Sequence, residues 1–543
     1  MVDLFAGTHL LGSWSGLLAS LVLASLLVWL LPRSSQPKGK VPASLPDWLP
    51  GVGNAYRSIF HNRDFLDFAR KNMKGRSIMK FWLGPKGVYL VTGAKNSQAI
   101  LRNSGNLSSD ELFFMVLAQL DAADQKDIDQ FRADKSGRSH IPLNPVGPAG
   151  RIWEQNHRIF TDNLTTSKSV GVMIDKFLEL FTATLEEQFP VGQSKSLRLY
   201  SFLKQEMARC AIVSLSGEEI LKQNPGFIDA MWEFDTYVYP LIFGVPRLLY
   251  PKAYAARDVY HAMGAKFLTA AWEKFDWTSP DVDADWEPIF GTRFHRTHSK
   301  FLKDRGFALC TRSGMHIGTI WAQNANCLPA TCWALIELIK DKSLFAAIRA
   351  EITTALDVNG KLDVKKLAEL PLLQSVYVET LRLHVAVNIT RQITDEMVLD
   401  GYTLKKDYLV QTPSLISHLD ESIWSEPGHP ASEFWAERHV TYVNTVDESG
   451  NQIRERQFSL AGRAGSFFPF GGGISICAGR HFAKQEVMAA VAFVVLKFDI
   501  ELEGYVTMDG KMSERGPLDD AWYCGTAAMP PDRDLLVSLT RAG

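Results

Sequence analysis

The sequence predicts a mostly α-helical protein with small β-sheets, formed by a single large domain. Three segments, 170–189, 201–214 and 342–356, carry apolar residues at the three- and four-residue spacing of an amphipathic helix. No linker, internal repeat or low-complexity tract interrupts the interior of the 543-residue chain. Because 46% of the residues are hydrophobic and 22% are charged, the chain can bury one large core.

The strand-like runs are short. Segments 77–84 and 87–92 are β-rich and flank Pro85 and Lys86, which predicts a hairpin. Further β-rich runs occupy 392–413, 498–506 and 534–540. Together these runs predict small sheets at one side of the helices.

The N-terminal end predicts a membrane anchor. No charged residue occurs in 10–31, and roughly 20 apolar helical residues cross the hydrocarbon layer of a bilayer. The alternative is a cleaved secretory signal, but the apolar stretch exceeds the usual signal core of about 7–15 residues, and no clear cleavage site follows. Arg33, Lys38 and Lys40 follow the stretch, so the positive-inside tendency keeps the next domain in the cytosol.

These features predict four parts in the chain. They are a short N-terminal segment (1–9), a transmembrane anchor (10–31), a proline-rich connector (32–50) and the large domain (51–543). The prolines make the connector stiff and non-helical. We expect a single-pass protein of the endoplasmic reticulum membrane whose large domain faces the cytosol.

Charge and cysteine content exclude several classes of protein. The 58 basic residues are balanced by 60 acidic residues, so we expect no nucleic-acid partner, which normally demands a basic face. The six cysteines show no paired zinc-type spacing and are too sparse for a disulfide scaffold. A reducing compartment is therefore expected.

Cys477 lies in a glycine-rich stretch, 470–480, that suits an axial iron ligand. Glycines let the backbone approach a flat cofactor closely and direct N–H groups toward the sulfur. Segment 480–490 predicts a helix, so Cys477 would lie at a helix N-terminus, where the macrodipole favours a thiolate. The alternative is an inert buried cysteine, as most free cysteines are.

The stretch resembles the F-x-x-G-x-x-x-C-x-G-x-x-x-A haem-ligand signature of the cytochrome P450 family. The matching residues, in order and spacing, are Phe470, Gly473, Cys477, Gly479 and Ala483. The resemblance implies the mostly helical cytochrome P450 fold, with 51–543 as the haem-binding catalytic domain. It also implies haem b (iron protoporphyrin IX) held by the Cys477 thiolate, with Phe470, Gly473 and Gly479 as further cofactor-binding residues.

Two other motifs resemble structural parts of the same family. Glu379 and Arg382 are three residues apart, so they lie on one face of a predicted helix and can pair. Alone, such a pair is most often a solvated surface bridge. The spacing resembles the family's E-x-x-R helix, and Arg438 resembles the arginine of its P-E-R-F segment. The resemblance implies a buried brace that supports folding around the cofactor.

Ser475 departs from the family, which usually carries at this place a basic residue that contacts a haem propionate. Another residue is therefore expected to supply that contact. Arg391 lies where the family commonly has a propionate-binding arginine, although it can also be a surface arginine at the start of a strand. Trp153 and His157 loosely resemble the family's W-x-x-x-R helix, which also meets a propionate.

Segment 314–340 predicts one long apolar helix on the oxygen side of the haem. The family usually presents an acid and an alcohol here, which deliver protons to bound oxygen. Aligned on Trp333, Ala325 takes the place of the acid and Asn326 that of the threonine. Asn326 can donate a hydrogen bond but is no ordinary acid. Pro329 is expected to kink the helix, with or without a role in oxygen handling.

The same segment resembles a branch that contains sterol 7α-hydroxylase, sterol 12α-hydroxylase and prostacyclin synthase. The leading hypothesis is a monooxygenase that oxidises a hydrophobic small molecule: a sterol, a terpenoid or a polycyclic secondary metabolite. It would use O2 and electrons from NADPH through a separate NADPH–cytochrome P450 reductase, because the chain carries no flavin or iron–sulfur signature. The alternative is a haem-thiolate isomerase or dehydratase that works without NADPH. A third hypothesis, a non-catalytic haem carrier or gas sensor, is disfavoured by the long oxygen-side helix and the anchor.

Aromatic residues suggest a wide apolar substrate pocket, although aromatics in helices also serve as ordinary core. The segments expected to line the pocket are 113–117, 237–243, 316–325, 385–389 and 522–526.

Overall fold

The computed structural model describes residues 40–103, 105–446 and 451–542. Within these ranges the α-helices are numbered in chain order. They are α1 (Gly53–Phe60), α2 (Asn62–Met73), α3 (Ala94–Arg102), α4 (Asp110–Met115), α5 (Gln125–Ala133), α6 (Ile152–Leu164), α7 (Ser167–Gln188), α8 (Leu199–Phe202), α9 (Ala208–Ser216), α10 (Glu219–Gln223), α11 (Phe227–Asp235), α12 (Val238–Ile242), α13 (Pro251–Lys274), α14 (Arg293–Asp304), α15 (Leu309–Lys340), α16 (Lys342–Thr353), α17 (Val364–Leu367), α18 (Pro371–His384), α19 (Ser414–His418), α20 (Glu421–Trp424) and α21 (Arg480–Lys497).

In the described part of the chain the strands form five small sheets, so the mostly helical class with small sheets is confirmed. The strands are β1 (Ala43–Ser44), β2 (Ile78–Leu83), β3 (Lys86–Val91), β4 (Leu107–Ser108), β5 (Ser194–Arg198), β6 (Trp286–Glu287), β7 (Gly291–Thr292), β8 (Asn388–Ile393), β9 (Met397–Leu399), β10 (Tyr402–Leu404), β11 (Leu409–Pro413), β12 (Val440–Val446), β13 (Gln452–Phe458), β14 (Phe498–Thr507), β15 (Met512–Ser513) and β16 (Arg533–Arg541). The largest sheet has the order β1-β2-β3-β11-β8-β4, and a four-stranded sheet has the order β15-β14-β16-β5.

The predicted hairpin is confirmed by the pairing of β2 with β3. These strands are antiparallel, with Ile78 opposite Val91. Strand β11 pairs in parallel with β3 and antiparallel with β8, in the register that places Val410 opposite Arg391. The sheet therefore carries Arg391 on its β8 strand.

Three helices dominate the core. Helix α15 runs for 32 residues and packs against α18 and α21, and buried side chains from all three belong to one hydrophobic cluster. Pro371 occupies the first turn of α18, where a missing N–H costs nothing. Asp341 begins α16 by accepting hydrogen bonds from the N–H groups of Ser343 (2.9 Å) and Leu344 (3.0 Å).

The structure refines the predicted elements in two places. The helix predicted over 201–214 is interrupted by one π-helical turn, Leu203–Met207, between α8 and α9. Near the end of the predicted connector, Ala43 and Ser44 form a parallel pair with β2. A strand in this segment agrees with its non-helical, proline-rich composition.

The predicted anchor at 10–31 lies outside the described residues, as does 32–39 of the connector. Among the helices that the structure describes, none combines the length and apolar character needed to cross a bilayer.

Candidate haem site

A mostly apolar cavity of about 460 Å³ lies between α15 and the stretch that precedes α21. The segment after α18 and the start of β8 close a third side of it. Side chains from these elements are Ala322, Asn326, Val385, Val387, Ile389 and Arg391, and the opposite wall includes Phe470, Ser475, Cys477 and Gly479. A cavity lined mostly by apolar side chains, with few polar groups, is the usual form of a cofactor or small-molecule site.

The Cys477 side chain is open to this cavity, and the local backbone holds it there. The N–H of Cys477 donates to the carbonyl oxygen of Phe470 (3.0 Å), which closes the loop. Gly473 has a φ of +67°, and a Cβ at this position would lie 2.0 Å from the carbonyl oxygen of Leu101. Only glycine fits such a backbone. Gly479 precedes the first residue of α21, so Cys477 lies just ahead of a helix N-terminus, as the sequence predicts.

The backbone around Cys477 is arranged for a sulfur anion. Burial raises the pKa of the Cys477 thiol. The N–H groups of Gly479 and Arg480, together with the charge of Arg480, act in the opposite direction and lower this pKa. A metal ion bound to a thiol removes its proton. The donor groups of this turn would then stabilise the negative sulfur.

Glu379, Arg382 and Arg438 meet in the core. The guanidinium of Arg382 donates from Nε and Nη2 to the two carboxylate oxygens of Glu379, each at 2.7 Å. Nε of Arg438 donates to Oε1 of the same carboxylate, also at 2.7 Å. His439, which the sequence did not single out, lies 3.2 Å from its Oε2. All of these side chains are buried.

Glu379 stays ionised in this environment. Burial alone would raise the pKa of its carboxyl group, but hydrogen bonds from Arg382 and His439 and the charges of Arg382 and Arg438 lower it to about 2. Arg438 also donates to the carbonyl oxygens of Trp424 and Glu433. The carboxylate therefore ties the end of α18 to the segment that leads to β12.

Arg391 is a half-buried cation that lines the cavity. Its Nη1 donates to the carbonyl oxygen of Thr390 (3.0 Å). Burial lowers the pKa of Arg391, and the positive charge of Arg138 lowers it further. In the part of the chain that the structure describes, no carboxylate pairs with it. A partly desolvated cation without an anion is unfavourable, and a haem propionate would supply that anion. The residues present therefore fit a haem whose iron faces Cys477.

Asn326 and Ala325 take different places on α15. Asn326 lines the cavity, whereas Ala325 lies outside its lining. The amide Nδ2 of Asn326 donates to the carbonyl oxygen of Ala322 (2.8 Å), and its Oδ1 accepts from the N–H of Ala528 (3.2 Å). Pro329 lies inside α15, which continues to Lys340. Of the two predicted positions, Asn326 alone presents a polar group to the cavity.

Comparison with known proteins identifies the family. Residues 319–515 match the family model described as Cytochrome P450. Cytochrome P450 monooxygenase calL from Penicillium decumbens is 39% identical over 95% of this chain and 98% of its own length. The chain belongs to the cytochrome P450 family.

A more distant relative and a solved structure agree with this assignment. Cholesterol 7-alpha-monooxygenase from Cricetulus griseus is 25% identical over 62% of this chain and 64% of its own length. The solved structure of retinoic acid bound cyanobacterial CYP120A1 covers 93% of this chain and 100% of its own, with a TM-score of 0.64 and 17% identity. This chain is thus an oxidoreductase of the cytochrome P450 monooxygenase type, and its family implies haem with a cysteine thiolate and O2.

The predicted pocket segments of this cytochrome P450 fall into two groups. Segments 385–389 and 316–325 contribute Val385, Val387, Thr319 and Ala322 to the main cavity. Segments 237–243 and 522–526 instead line a separate space of about 10 Å³. They pack against each other there, so they leave no room for a ligand.

The aromatic side chains near 113 belong to the core. The ring of Phe113 lies 4.8 Å from that of Trp153 and 5.3 Å from that of Phe131. Phe114 lines an adjoining cavity, and Leu112 is the residue of this helix that lines the main one. Of the two alternatives that the sequence leaves open for Phe113, the structure favours ordinary core, because its ring packs against those of Trp153 and Phe131.

Trp153 and His157, the pair of the loose W-x-x-x-R resemblance, lie in different surroundings, and their contact with a haem propionate stays a prediction. Trp153 is buried, its Nε1 donates to the carbonyl oxygen of Phe131 (2.9 Å), and it lines the adjoining cavity. His157 is half-buried and lines neither cavity. The cation over the Trp153 ring is Arg138, at 4.3 Å from the ring centroid. No motif marks Arg138 in the sequence, since it lies in an irregular segment between α5 and α6.

Glu486 is a second buried carboxyl group beside the haem cavity. It lies on α21 and is fully buried, and burial raises its pKa to about 7. Nε2 of Gln323, a residue of the cavity lining, lies 3.3 Å from its Oε1. Its other oxygen has no hydrogen-bond partner among the described residues. Sequence reasoning missed this group because a single glutamate in an apolar helix carries no spacing signal.

Proposed function

We propose that this cytochrome P450 hydroxylates or otherwise oxidises a hydrophobic small molecule of the sterol, terpenoid or polycyclic class. Electrons would come from NADPH through a separate NADPH–cytochrome P450 reductase. One observation carries the proposal: Cys477 and Asn326 lie on the lining of the same mostly apolar cavity. The relatives named as monooxygenases support the same reaction type.

Each group of cavity residues has a distinct task in this proposal. Cys477 would hold the iron, and Arg391 would bind a propionate and so orient the ring. Val385, Val387 and Ile389 enclose an apolar substrate and exclude water. Haem with a thiolate ligand supplies the activation of O2. Asn326 lines the cavity together with Thr319 and Gln323 of α15, and it keeps hydrogen-bonding capacity through its second amide hydrogen.

A second candidate is a haem-thiolate isomerase or dehydratase that needs no NADPH. The observation in its favour is the absence of an acid–alcohol pair at 325–326, where Ala325 and Asn326 stand. The two candidates differ in their need for electrons. The monooxygenase consumes NADPH and O2 with substrate, whereas the isomerase converts its substrate in the absence of both.

The test combines a binding screen with turnover. Purified holoprotein is titrated with sterols, terpenoids and polycyclic compounds, and displacement of iron-bound water is followed in the Soret band. Compounds that bind are then incubated with reductase, with and without NADPH. We expect NADPH-dependent O2 uptake and an oxygenated product. Conversion without NADPH would favour the isomerase, and binding without turnover in either condition would contradict both.

Asn326→Leu tests the oxygen-side role of the amide. We expect unchanged haem content and a product yield per O2 consumed that falls about two- to tenfold, because one neutral hydrogen bond contributes ~0.5–1.5 kcal/mol. The lost electrons should appear as hydrogen peroxide. Asn163→Leu is the matched control: Nδ2 of Asn163 makes the same kind of bond, to the carbonyl oxygen of Ile159 (2.8 Å), outside the cavity lining. If wild type and Asn326→Leu gave the same product yield per O2 consumed, Asn326 would have no role in oxygen handling.

We also propose that 10–31 anchors the protein in the endoplasmic reticulum membrane, with the catalytic domain in the cytosol. Deletion of 1–32 should move at least part of the protein into the soluble fraction after membrane sedimentation. Deletion of 1–9 is the control, because it leaves the apolar stretch intact and should keep the protein in the membrane. If the 1–32 deletion variant stayed entirely in the membrane fraction, another surface of the protein would be binding the membrane.

A further inference from the structure

Ser475 lacks the charge that the family usually places next to a haem propionate, but it is bonded to a residue that carries one. Nη1 of Arg138 donates to Oγ of Ser475 (3.0 Å) and to Oγ of Ser109 (3.0 Å). Nη2 of the same guanidinium donates to Oδ1 of Asp110 (2.9 Å). Ser475 thus brings an arginine from 337 residues earlier in the chain to the place where a basic residue is missing.

The guanidinium of Arg138 is held in one position. Its side chain is only 15% exposed. The Cζ atom of Arg138 lies 4.3 Å from the ring centroid of Trp153. A planar guanidinium is well suited to lie over an aromatic ring. Burial lowers the pKa of Arg138 and the charge of Asp110 raises it. Of the five N–H donors of an arginine, three are used by the two serines and Asp110. Two donors are left for an anion.

The charges around Arg138 are unbalanced. Arg138 and Arg391 are both half-buried, and the charge of Arg138 lowers the pKa of Arg391. Arg138 also lowers the pKa of the nearby His157. Asp110 is the one carboxylate paired with this group among the described residues, and its side chain is 46% exposed. Like charges close together destabilise each other, and an anion near both guanidiniums would offset that repulsion.

The two arginines line one adjoining cavity, and Arg391 also lines the main cavity. Arg391 and Ser475 line both the main cavity and an adjoining cavity of about 420 Å³, and Arg138 lines the adjoining one. An anion at the Ser475 edge of the main cavity is therefore within the field of both guanidiniums. A haem bound to Cys477 carries two carboxylates at its edge, and Cys477 is two residues from Ser475.

We propose that Arg138 binds a haem propionate in place of the basic residue missing at position 475, with Ser475 and Ser109 orienting its guanidinium. The inference rests on haem ligation by Cys477. Arg391 would bind the propionates together with Arg138, and Trp153 would support the guanidinium of Arg138 with the face of its ring. The family's propionate contact is thereby moved from the cysteine loop to the segment between α5 and α6.

Arg138→Gln is the first test. Haem transfer from the ferric holoprotein to apomyoglobin should become about tenfold faster or more, because a hydrogen bond to a charged group is lost. The propionate bending bands in the resonance Raman spectrum should also shift, which a purely structural role would not produce. Arg132→Gln is the matched control: Arg132 lines the same adjoining cavity and stacks on Phe114 at 4.6 Å. It should leave both readouts as in wild type.

A rescue variant and a milder variant complete the test. Arg138→Gln combined with Ser475→Arg should return the transfer rate and the Raman bands toward wild type, because the charge is restored from the loop. Arg138→Lys keeps the positive charge beside Asp110 but loses the planar guanidinium, so its Raman bands should also shift. This variant provides the test if Arg138→Gln does not fold. Unchanged bands in Arg138→Lys, or no rescue by Ser475→Arg in a folded protein, would overturn the proposal. A wild type that lacks the thiolate–carbon monoxide band would instead refute haem ligation by Cys477.

Discussion

Replacement of Cys477 by alanine is expected to abolish the thiolate-type absorption band of the reduced carbon monoxide complex and all NADPH-dependent turnover. Cys477 is the cysteine of the glycine-rich loop, and its side chain is open to the cavity. Without its sulfur the iron has no protein ligand that releases electrons toward bound oxygen. Cys477→His should bind haem through nitrogen and also lack the band. The measurement is a reduced-minus-oxidised carbon monoxide difference spectrum with haem content determined in parallel.

Cys327→Ala is the matched control for this experiment. Cys327 lies on α15 in the same cavity lining and is buried, and its pKa is raised well above the ordinary value, first by burial and then by the charge of Glu486. It is therefore a neutral thiol that should not compete for iron. We expect the Cys327→Ala band to equal that of wild type. A normal band in Cys477→Ala, or a band lost only in Cys327→Ala, would show that Cys477 is not the iron ligand.

Glu379→Gln is expected to cause the largest loss of stability, roughly 3–5 kcal/mol in the free energy of unfolding, because breaking a buried ion network leaves charges without a partner. The substitution keeps the size of the side chain but leaves the guanidiniums of Arg382 and Arg438 facing a neutral amide. The yield of holoprotein and the urea concentration that removes half of the thiolate–carbon monoxide band measure the effect. Wild-type resistance to urea would show that the brace contributes little.

Asp304→Asn provides the comparison for a solvent-exposed pair. Lys300 and Asp304 lie 2.9 Å apart on α14 with side chains 51% and 58% exposed. Exposed pairs of this kind contribute at most about 1 kcal/mol, so this variant should unfold close to wild type. A similar loss of stability in Glu379→Gln and Asp304→Asn would mean that the protein is sensitive to the removal of any charge.

The Glu379 brace also predicts an acid dependence. The folded-state pKa of Glu379 is lowered to about 2 from an ordinary value of 4.5. Its stabilising contribution is therefore complete above about pH 4.5 and is lost as the pH falls toward 2. In Glu379→Gln this part of the acid dependence should be absent. Urea midpoints measured in both proteins from neutral pH down to about pH 2.5 test the difference, because the loss falls between about pH 4.5 and 2.

Parts of the site that depend on short spacings could be predicted from the sequence. Cys477 and the start of α21 are three residues apart, so the turn and the helix can be recognised together. Glu379 and Arg382 lie on one helix turn, and they pair as their spacing allows. The hairpin of β2 and β3 is also local, because two residues separate its strand patterns.

Contacts between distant segments could not be predicted in this way. Arg138 and Ser475 are 337 residues apart, and Asn326 and Ala528 are 202 apart. Periodicity describes one element at a time and contains no information about which loop reaches which helix. The packing of Phe113 on Trp153 could not be predicted for the same reason. An aromatic residue can serve a pocket or a core, and only its neighbours decide between them.

The sequence by itself determined the helical class, the family, the cysteine that faces the cavity and the partners expected in the Glu379 network. These features rest on residues close together in the chain or on a motif with strict spacing. The tertiary structure alone decided which cation stands beside Ser475, which residue of the 325–326 pair faces the cavity and which aromatics are core. The physical reason is that burial and charge act through space, so a side chain's surroundings are defined only when distant segments pack together.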